Sequence, residues 1–138
     1  VVKTPKLYFY DTGLVCYLLG IRQAAELNLH YAKGALFENY IITEYLKNRR
    51  NAGDNNNPYF WRDSTGNEGD LLADLGQHLK IVEIKSAKTI KDDFFKGLEF
   101  FEKIQSNYHL AKSIVYGGEA FRKQYETQIV PWNNVAKI

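Results

Sequence analysis

The chain has 138 residues, of which 45% are hydrophobic and 14% aromatic, and its formal net charge is +2. This length suits one domain with a substantial core, the composition excludes a chain that is disordered throughout, and the small charge does not by itself indicate nucleic-acid binding. The single cysteine, Cys16, excludes an intramolecular disulfide and a cysteine-based zinc site. The sequence has no apolar run long enough to cross a bilayer, so we expect a cytoplasmic protein without a membrane partner.

Residues 1–30 are predicted to form an N-terminal connecting segment with a short helix. The aromatic run that ends at Tyr10 is typical of a strand, and Asp11 or Thr12 is suited to cap a helix that ends at Gly20. We interpret this segment as a packing element outside the catalytic core. Because the chain contains no methionine, even at its first position, we expect it to be part of a longer protein.

The main domain is predicted to span residues 31–138 and to begin with a long helix over residues 31–50. Apolar residues cover most of the circumference of this helix, so we expect it to be largely enclosed. Two acids, Glu38 and Glu44, each lie between apolar neighbours on the helical wheel. Periodicity does not choose between them as a site residue, and the alternative for each is pairing with a nearby Lys or Arg.

Three short strands are predicted after the polar loop at residues 51–57. The first covers residues 58–62, and the other two form a hairpin within residues 70–85. Consecutive strands joined by short turns pair as an antiparallel meander. The sequence therefore predicts three neighbouring strands at the centre of the domain.

A second amphipathic helix is predicted over residues 92–105, followed by strands over residues 113–118 and 128–132. A strand, helix and strand in succession form a right-handed crossover between parallel strands. We therefore expect the strand at residues 113–118 to be parallel to the strand that contains Glu83. The last strand is expected at an edge of the sheet.

Charged side chains in the apolar hairpin are the main candidates for a site. Side chains alternate along a strand, so Glu83 and Lys85 emerge on one side while Val82 and Ile84 point to the other. Buried charges require partners, and a hard cation such as Mg²⁺ takes one or two carboxylates from a protein. Asp70 and Glu83 would supply that pair, with Lys85 directed at the same water or phosphate.

Histidine chemistry is not indicated. His30, His78 and His109 are scattered along the chain and lack the spacing of metal ligands, so we assign them no role. No Ser-His-Asp or Cys-His constellation is recognisable in the sequence.

The order of Asp70, twelve residues and then Glu83-Ile84-Lys85 resembles the PD-(D/E)xK nucleases, in which an acid on one strand and Glu-x-Lys on the next form a metal-dependent phosphodiesterase site. The order of helix, three-strand meander, helix and strand resembles the core of the same fold. This resemblance implies an α/β, restriction-endonuclease-like domain whose central mixed sheet, a three-strand meander plus a crossover strand, is flanked by helices.

Three stretches together resemble the DUF4143 domain: KLYFYDTGL at residues 6–14, GALFEN at residues 34–39, and YFWR through EGD to EIKS within residues 59–86. DUF4143 is the nuclease-like C-terminal region of predicted prokaryotic P-loop ATPases of the AAA type. The resemblance implies an N-terminal ATPase domain of the same parent chain as a partner. The Gly-rich loop of that ATPase is absent from this sequence, so we do not expect the chain to bind ATP.

Carried over residue by residue, the resemblance implies Asp70 and Glu83 as metal ligands and Lys85 as the catalytic lysine. It also implies that Glu38 is the helix acid that faces the site, and so prefers Glu38 over Glu44. Mg²⁺ or Mn²⁺ is the cofactor that it implies.

Gly69 departs from the family pattern, which has an apolar branched residue between Glu68 and Asp70. A glycine there would loosen the strand or form a bulge, and either would change the direction in which Asp70 points.

We therefore expect a metal-dependent nuclease domain that acts on DNA or RNA. Arg62 and Lys88 are candidate nucleic-acid contacts, although a solvated surface position is the alternative for Lys88, and core packing is expected for Trp61. The alternative function is a nuclease-fold module without turnover that binds nucleic acid or protein beside an ATPase. A third possibility is a folded domain whose charges form only surface pairs.

Overall fold

The computed structural model describes residues 5–105 and 107–138 of the chain. Its α-helices are Thr12–Leu18 (α1), Ala24–Leu29 (α2), Lys33–Asn51 (α3) and Lys96–Ile104 (α4). Its strands are Tyr59–Arg62 (β1), Glu68–Asp74 (β2), His78–Lys85 (β3), His109–Tyr116 (β4), Arg122–Gln124 (β5) and Thr127–Pro131 (β6). Two 3₁₀ helices, Asp92–Phe95 and Trp132–Lys137, precede α4 and follow β6. None of the helices in the described residues combines the length and the apolar character needed to cross a bilayer.

The strands form one mixed sheet in the order β1-β2-β3-β4-β6-β5. β1, β2 and β3 are antiparallel neighbours, which confirms the predicted meander. β4 is parallel to β3, with Ile114 beside Glu83, which confirms the predicted crossover strand. The architecture is a mixed α/β domain with helices on both faces of the sheet.

The sheet separates two apolar clusters, because side chains alternate along each strand. In β3, Val82 and Ile84 pack on the side of α3, whereas Ile81 packs on the side of α4. The first cluster also contains Ile41, Ile42, Tyr45, Leu71, Val115 and Val130. The second also contains Phe94, Phe95, Leu98, Phe101, Ile114 and Ile129. Burial of β3 and β4 on both faces is typical of parallel strands.

The strand predicted at residues 128–132 is not at the edge of the sheet. β6 lies between β4 and β5, and β5 is the edge strand. β5 and β6 are joined by Tyr125 and Glu126, whose φ values of 50° and 56° are in the left-handed region. Asn-Gly or Asp-Gly normally signals such a two-residue hairpin turn. Because that signal is missing and β5 is a polar strand of three residues, the sequence pattern does not reveal it.

The segment before α1 is not a strand over its described residues, although the aromatic run up to Tyr10 predicts one. Residues 1–4 of that prediction lie outside the described residues. The N–H of Phe9 donates to Asn39 Oδ1 at 2.7 Å, and Asn39 Nδ2 donates to the Phe9 carbonyl oxygen at 2.9 Å. A side chain of α3 thus satisfies backbone groups that a strand would pair with another strand.

The helix ends follow local capping chemistry. Asp11 caps α1, as one of the two predicted alternatives, by accepting a hydrogen bond from the N–H of Leu14 at 2.9 Å. α2 is absent from the predicted elements, and Gln23 and Glu26 form a capping box at its start. The helix predicted over residues 92–105 is a 3₁₀ turn that leads into the shorter α4.

Gly97 allows α4 to approach the first residue of β2 closely. A Cβ atom placed on Gly97 would lie 2.3 Å from the backbone carbonyl oxygen of Glu68. Because this obstacle is backbone, only a shift of the helix away from the strand would relieve the clash.

We expect Gly97→Ala to lower the free energy of unfolding by about 1–3 kcal/mol through overpacking, as measured by urea denaturation. Gly34→Ala is the matched control, because Gly34 is also helical and has no atom within 4 Å of the corresponding Cβ position. Its higher helix propensity should raise the stability by up to about 1 kcal/mol. Equal effects of the two substitutions would contradict the close packing of α4 on β2.

Candidate functional site

Asp70 lies in an irregular part of β2. Tyr59 pairs with Leu72 and Trp61 pairs with Gly69, so two steps along β1 face three steps along β2. This mismatch is a β-bulge, one of the two outcomes predicted from the glycine that precedes Asp70.

The bulge places a buried carboxylate against the next strand. A Cβ atom on Gly69 would lie 2.7 Å from Ile81 Cδ1, so a larger residue fits only if Ile81 moves. The Asp70 side chain is 4% exposed, and its Oδ2 accepts a hydrogen bond from the N–H of Ile84 at 2.8 Å. This bond attaches Asp70 to β3 beside Glu83.

Glu83 and Lys85 emerge on the same side of β3, as their spacing predicts. Lys85 Nζ lies 2.5 Å from Glu83 Oε1. The Glu83 side chain is 7% exposed, whereas one third of the Lys85 side chain is exposed. The second carboxylate oxygen of Glu83, Oε2, is buried and has no hydrogen-bond partner.

Glu38 joins this group through the chain segment that precedes α1. Lys6 Nζ lies 2.9 Å from Glu38 Oε1 and 3.4 Å from Asp70 Oδ1, so one ammonium group bridges two acids. The hydroxyl of Tyr8 donates to the same Glu38 oxygen at 2.6 Å. Lys6 Nζ also lies 4.1 Å from the centre of the Phe60 ring, within range of a cation–π interaction.

Glu44, the other acid of the long helix, pairs with Lys47 at 2.7 Å one turn along α3. This geometry confirms the pairing predicted as its alternative. The tertiary structure therefore places Glu38, and not Glu44, beside Asp70.

Lys6 and Tyr8 are missing from the predicted site. Residues 1–30 are expected to pack outside the catalytic core, and the structure instead places these two side chains on its acids. No spacing rule links Lys6 to a strand residue 64 positions later. The one available signal is that both residues lie in the stretch 6–14, which carries part of the family resemblance.

Burial controls the protonation of the two acids in the sheet. Burial first, and then the charge of Asp70, raise the pKa of Glu83 to about 7, although Lys85 opposes the rise. Burial and the charge of Glu38 likewise raise the pKa of Asp70 above its usual range. Both acids therefore hold a proton more firmly than they would in water, despite their lysine partners.

The environment of the two lysines favours their charged form. Burial lowers the pKa of Lys6, but its hydrogen bond to Glu38 and the nearby acidic charges outweigh burial and raise the pKa overall. The same balance, with Glu83 as the partner, raises the pKa of Lys85. Both side chains are therefore charged at neutral pH.

The donor atoms of the site suit a hard divalent cation. Asp70 and Glu83 offer carboxylate oxygens, and a cation would satisfy the buried Glu83 Oε2, which is costly to leave unpaired. Mg²⁺ binds through one or two protein carboxylates while water and phosphate complete its coordination. Within residues 5–105 and 107–138, no group of three or more His, Cys, Asp or Glu side chains is arranged to hold a metal, so the chain would supply two carboxylates rather than a closed cage.

The predicted nucleic-acid contacts lie at the same end of the sheet as the acids. Arg62 pairs in register with Glu68 at the start of β2, and its Nε lies 3.3 Å from Glu68 Oε2. Lys88 is exposed in the segment that follows β3. Trp61 packs edge-on against Phe101, with ring centres 5.1 Å apart, in agreement with its predicted core position.

Two histidines meet at the opposite end of the sheet. His78 and His109 are the first residues of the parallel strands β3 and β4, and their ring centres lie 5.3 Å apart. Their description as scattered holds along the sequence but is wrong in space, because the crossover brings the starts of the two strands together.

A family model described as "Domain of unknown function (DUF4143)" matches residues 33–135 of the chain. This range includes Glu38, Asp70, Glu83 and Lys85, whereas Lys6 lies before it. The match confirms the resemblance to the DUF4143 domain over these residues. Searches of curated proteins and of solved structures find no match.

The stability of the metal-free protein should fall as the pH rises towards 8, because of the buried acids. A carboxyl group whose pKa is raised by folding binds its proton more tightly in the folded state, so its deprotonation favours unfolding. For Glu83 the loss begins above the ordinary pKa of a glutamate and is complete above the folded value of about 7. Urea denaturation in EDTA at about pH 5 and about pH 8 measures this difference.

Glu83→Gln should reduce the pH difference, because the amide does not titrate. Glu44→Gln is the control, since Glu44 belongs to a surface pair. Equal stability of the unmodified protein at both pH values would contradict the assignment of a raised pKa to Glu83.

Proposed function

The chain belongs to the DUF4143 family, and from that premise we propose that it is a Mg²⁺- or Mn²⁺-dependent phosphodiesterase domain that acts on DNA or RNA. The observation that supports this function best is the buried Glu83 Oε2, which lacks a hydrogen-bond partner on a side chain that pairs with Lys85 through Oε1 and feels the charge of Asp70. We also propose that the mixed sheet and its helices correspond to a PD-(D/E)xK restriction-endonuclease-like core.

In this proposal Asp70 and Glu83 hold the ion. When bound, the ion supplies a Lewis acid that activates water and neutralises charge on the phosphate. Lys85, charged and on the same side of β3 as Glu83, orients the attacking water or stabilises negative charge on the phosphate. Glu38 is the third acid, which positions water at the side of the site nearest α3.

The substrate would approach from the end of the sheet where β1 and β3 finish. Arg62 and Lys88 are at this end and would contact phosphate groups, which sets the position of a nucleic acid without selecting its sequence. An ATPase domain of the same parent chain is the proposed protein partner. The proposed location is the cytoplasm.

A second candidate function is a nuclease-fold module without turnover, which binds nucleic acid or protein beside that ATPase. The observation that favours it is the pairing of all three acids with ammonium groups of the chain itself. Lys6 contacts Glu38 and Asp70, and Lys85 contacts Glu83. These contacts neutralise part of the acidic charge without a metal.

Incubation with labelled double-stranded DNA, single-stranded DNA and RNA, in Mn²⁺ or in EDTA, distinguishes the two functions. We expect cleavage that requires Mn²⁺. Asp70→Asn and Lys85→Ala should each lower the rate by about 100-fold or more, because each removes charge from the reacting centre. Asp74→Asn and Lys47→Ala are the matched controls, because Asp74 is exposed on the same strand and Lys47 forms a surface pair.

Binding without cleavage, with an affinity that falls as salt is raised, would favour the interaction module. Cleavage that survives in both Asp70→Asn and Lys85→Ala would assign the activity to another site or to a contaminant. Circular dichroism of each variant would separate a loss of chemistry from a loss of fold.

A further inference from the structure

We propose that Lys6 is a built-in competitor for the metal ion: its ammonium group lies between Glu38 and Asp70, and a divalent cation binds the metal ligand Asp70 only when Lys6 withdraws. This inference rests on the proposed metal-dependent function and adds a control of the same site. It assigns a role to the segment before α1, which the family match does not include.

Of the two carboxylate oxygens of Asp70, Oδ1 is the one without a backbone donor. Oδ2 accepts from the backbone N–H of Ile84, so it already has a donor fixed by β3. Oδ1 faces Lys6 Nζ at 3.4 Å. A cation that coordinates Asp70 through Oδ1 must therefore enter the space that the ammonium group occupies.

The position of Lys6 is itself strongly defined. Its ammonium group contacts Glu38 Oε1 at 2.9 Å, and the Tyr8 hydroxyl holds the same oxygen at 2.6 Å. A divalent cation at the acids would repel an ammonium group a few ångströms away, and this repulsion is strong in a partly buried site. Lys6 and the metal ion are therefore alternative partners of the Asp70 carboxylate.

Lys6 can leave without unfolding the segment that carries it. Its side chain is 28% exposed, so the ammonium group has a route to water through its flexible stem. The segment remains anchored, because Asn39 bonds to both backbone groups of Phe9 and to the Thr12 hydroxyl. A displacement of the side chain alone is thus sufficient to open the site.

This competition links the metal site to the beginning of the described chain. Because linkage is reciprocal, any change that pulls Lys6 from the acids strengthens metal binding, and metal binding releases Lys6 to the same extent. A domain or partner attached to the segment before α1 would in this way control the metal affinity.

Mn²⁺ binding to the 138-residue chain, measured by electron paramagnetic resonance, tests the competition directly. Lys6→Met removes the ammonium group but keeps an unbranched side chain against Phe60, and we expect it to bind Mn²⁺ on the order of ten-fold more tightly than the unmodified chain. Lys47→Met is the matched control. Lys47 also pairs with a glutamate of α3, but that glutamate is Glu44, which is not part of the site. The Mn²⁺ affinity of Lys47→Met should be unchanged.

Lys6→Met could raise the Mn²⁺ affinity simply because it removes a positive charge near the site. Amine footprinting of the unmodified chain avoids this ambiguity. We expect Mg²⁺ to increase the rate at which an acylating reagent modifies Lys6, as read by mass spectrometry, and to leave the rate at Lys47 unchanged. This measurement requires no variant, so it also decides the question if Lys6→Met fails to fold.

The outcomes separate this inference from the proposed function. Equal Mn²⁺ affinities of Lys6→Met and the unmodified chain would overturn the competition and leave the metal centre intact, as would binding of Mg²⁺ without a change in Lys6 reactivity. Absence of Mn²⁺ binding in both proteins would overturn the metal centre and the competition with it.

Discussion

The burial of two carboxylates at one end of a mixed sheet is the constraint on which the rest of the site depends. Asp70 and Glu83 are each less than one tenth exposed. Charges in such positions destabilise a fold unless hydrogen bonds or opposite charges compensate them. The Ile84 N–H and Lys6 compensate Asp70, whereas Lys85 compensates only one oxygen of Glu83. The remaining Glu83 oxygen marks the point where compensation by the protein is incomplete.

The sheet determines where in the protein the two carboxylates are buried. β3 and β4 run parallel and contribute to the apolar clusters on both faces, and Glu83 and Lys85 lie within the last three residues of β3. Backbone packing holds the end of β3 closely, because the N–H of Gly117 donates to the Lys85 carbonyl oxygen at 3.1 Å. A Cβ atom on Gly117 would lie 2.5 Å from the carbonyl oxygen of Ser86. The backbone that carries Lys85 therefore has little freedom to move.

The two lysines of the site differ in how the chain holds them. Lys85 is two residues from Glu83 on one strand, so their contact follows from strand geometry and belongs to the rigid sheet. Lys6 belongs to a segment outside the sheet, and side-chain contacts from α3 and β2 position it. A group held by the sheet suits a constant role in the site, whereas a group held by a separate segment suits control of access to it.

The sequence by itself determined the elements that depend on local rules. Alternation in β3 placed Glu83 and Lys85 on one side, the run of three short strands predicted the meander, and the crossover rule predicted the parallel neighbour of β3. Gly69 also signalled the bulge that includes Asp70, because a glycine in a strand interior weakens regular pairing. The family resemblance, and not periodicity, preferred Glu38 over Glu44.

Only the tertiary structure decided which distant groups meet. The sequence pattern did not predict β5 and its turn, because three polar residues and a turn without glycine match no strand or hairpin pattern. The aromatic run before α1 has the composition of a strand, but Asn39 of α3 bonds to both backbone groups of Phe9 and holds the run against the helix. The contacts of Lys6 with Glu38 and Asp70 arise from packing between segments 32 and 64 residues apart, and no local pattern encodes such contacts, because they depend on how the elements are arranged in space.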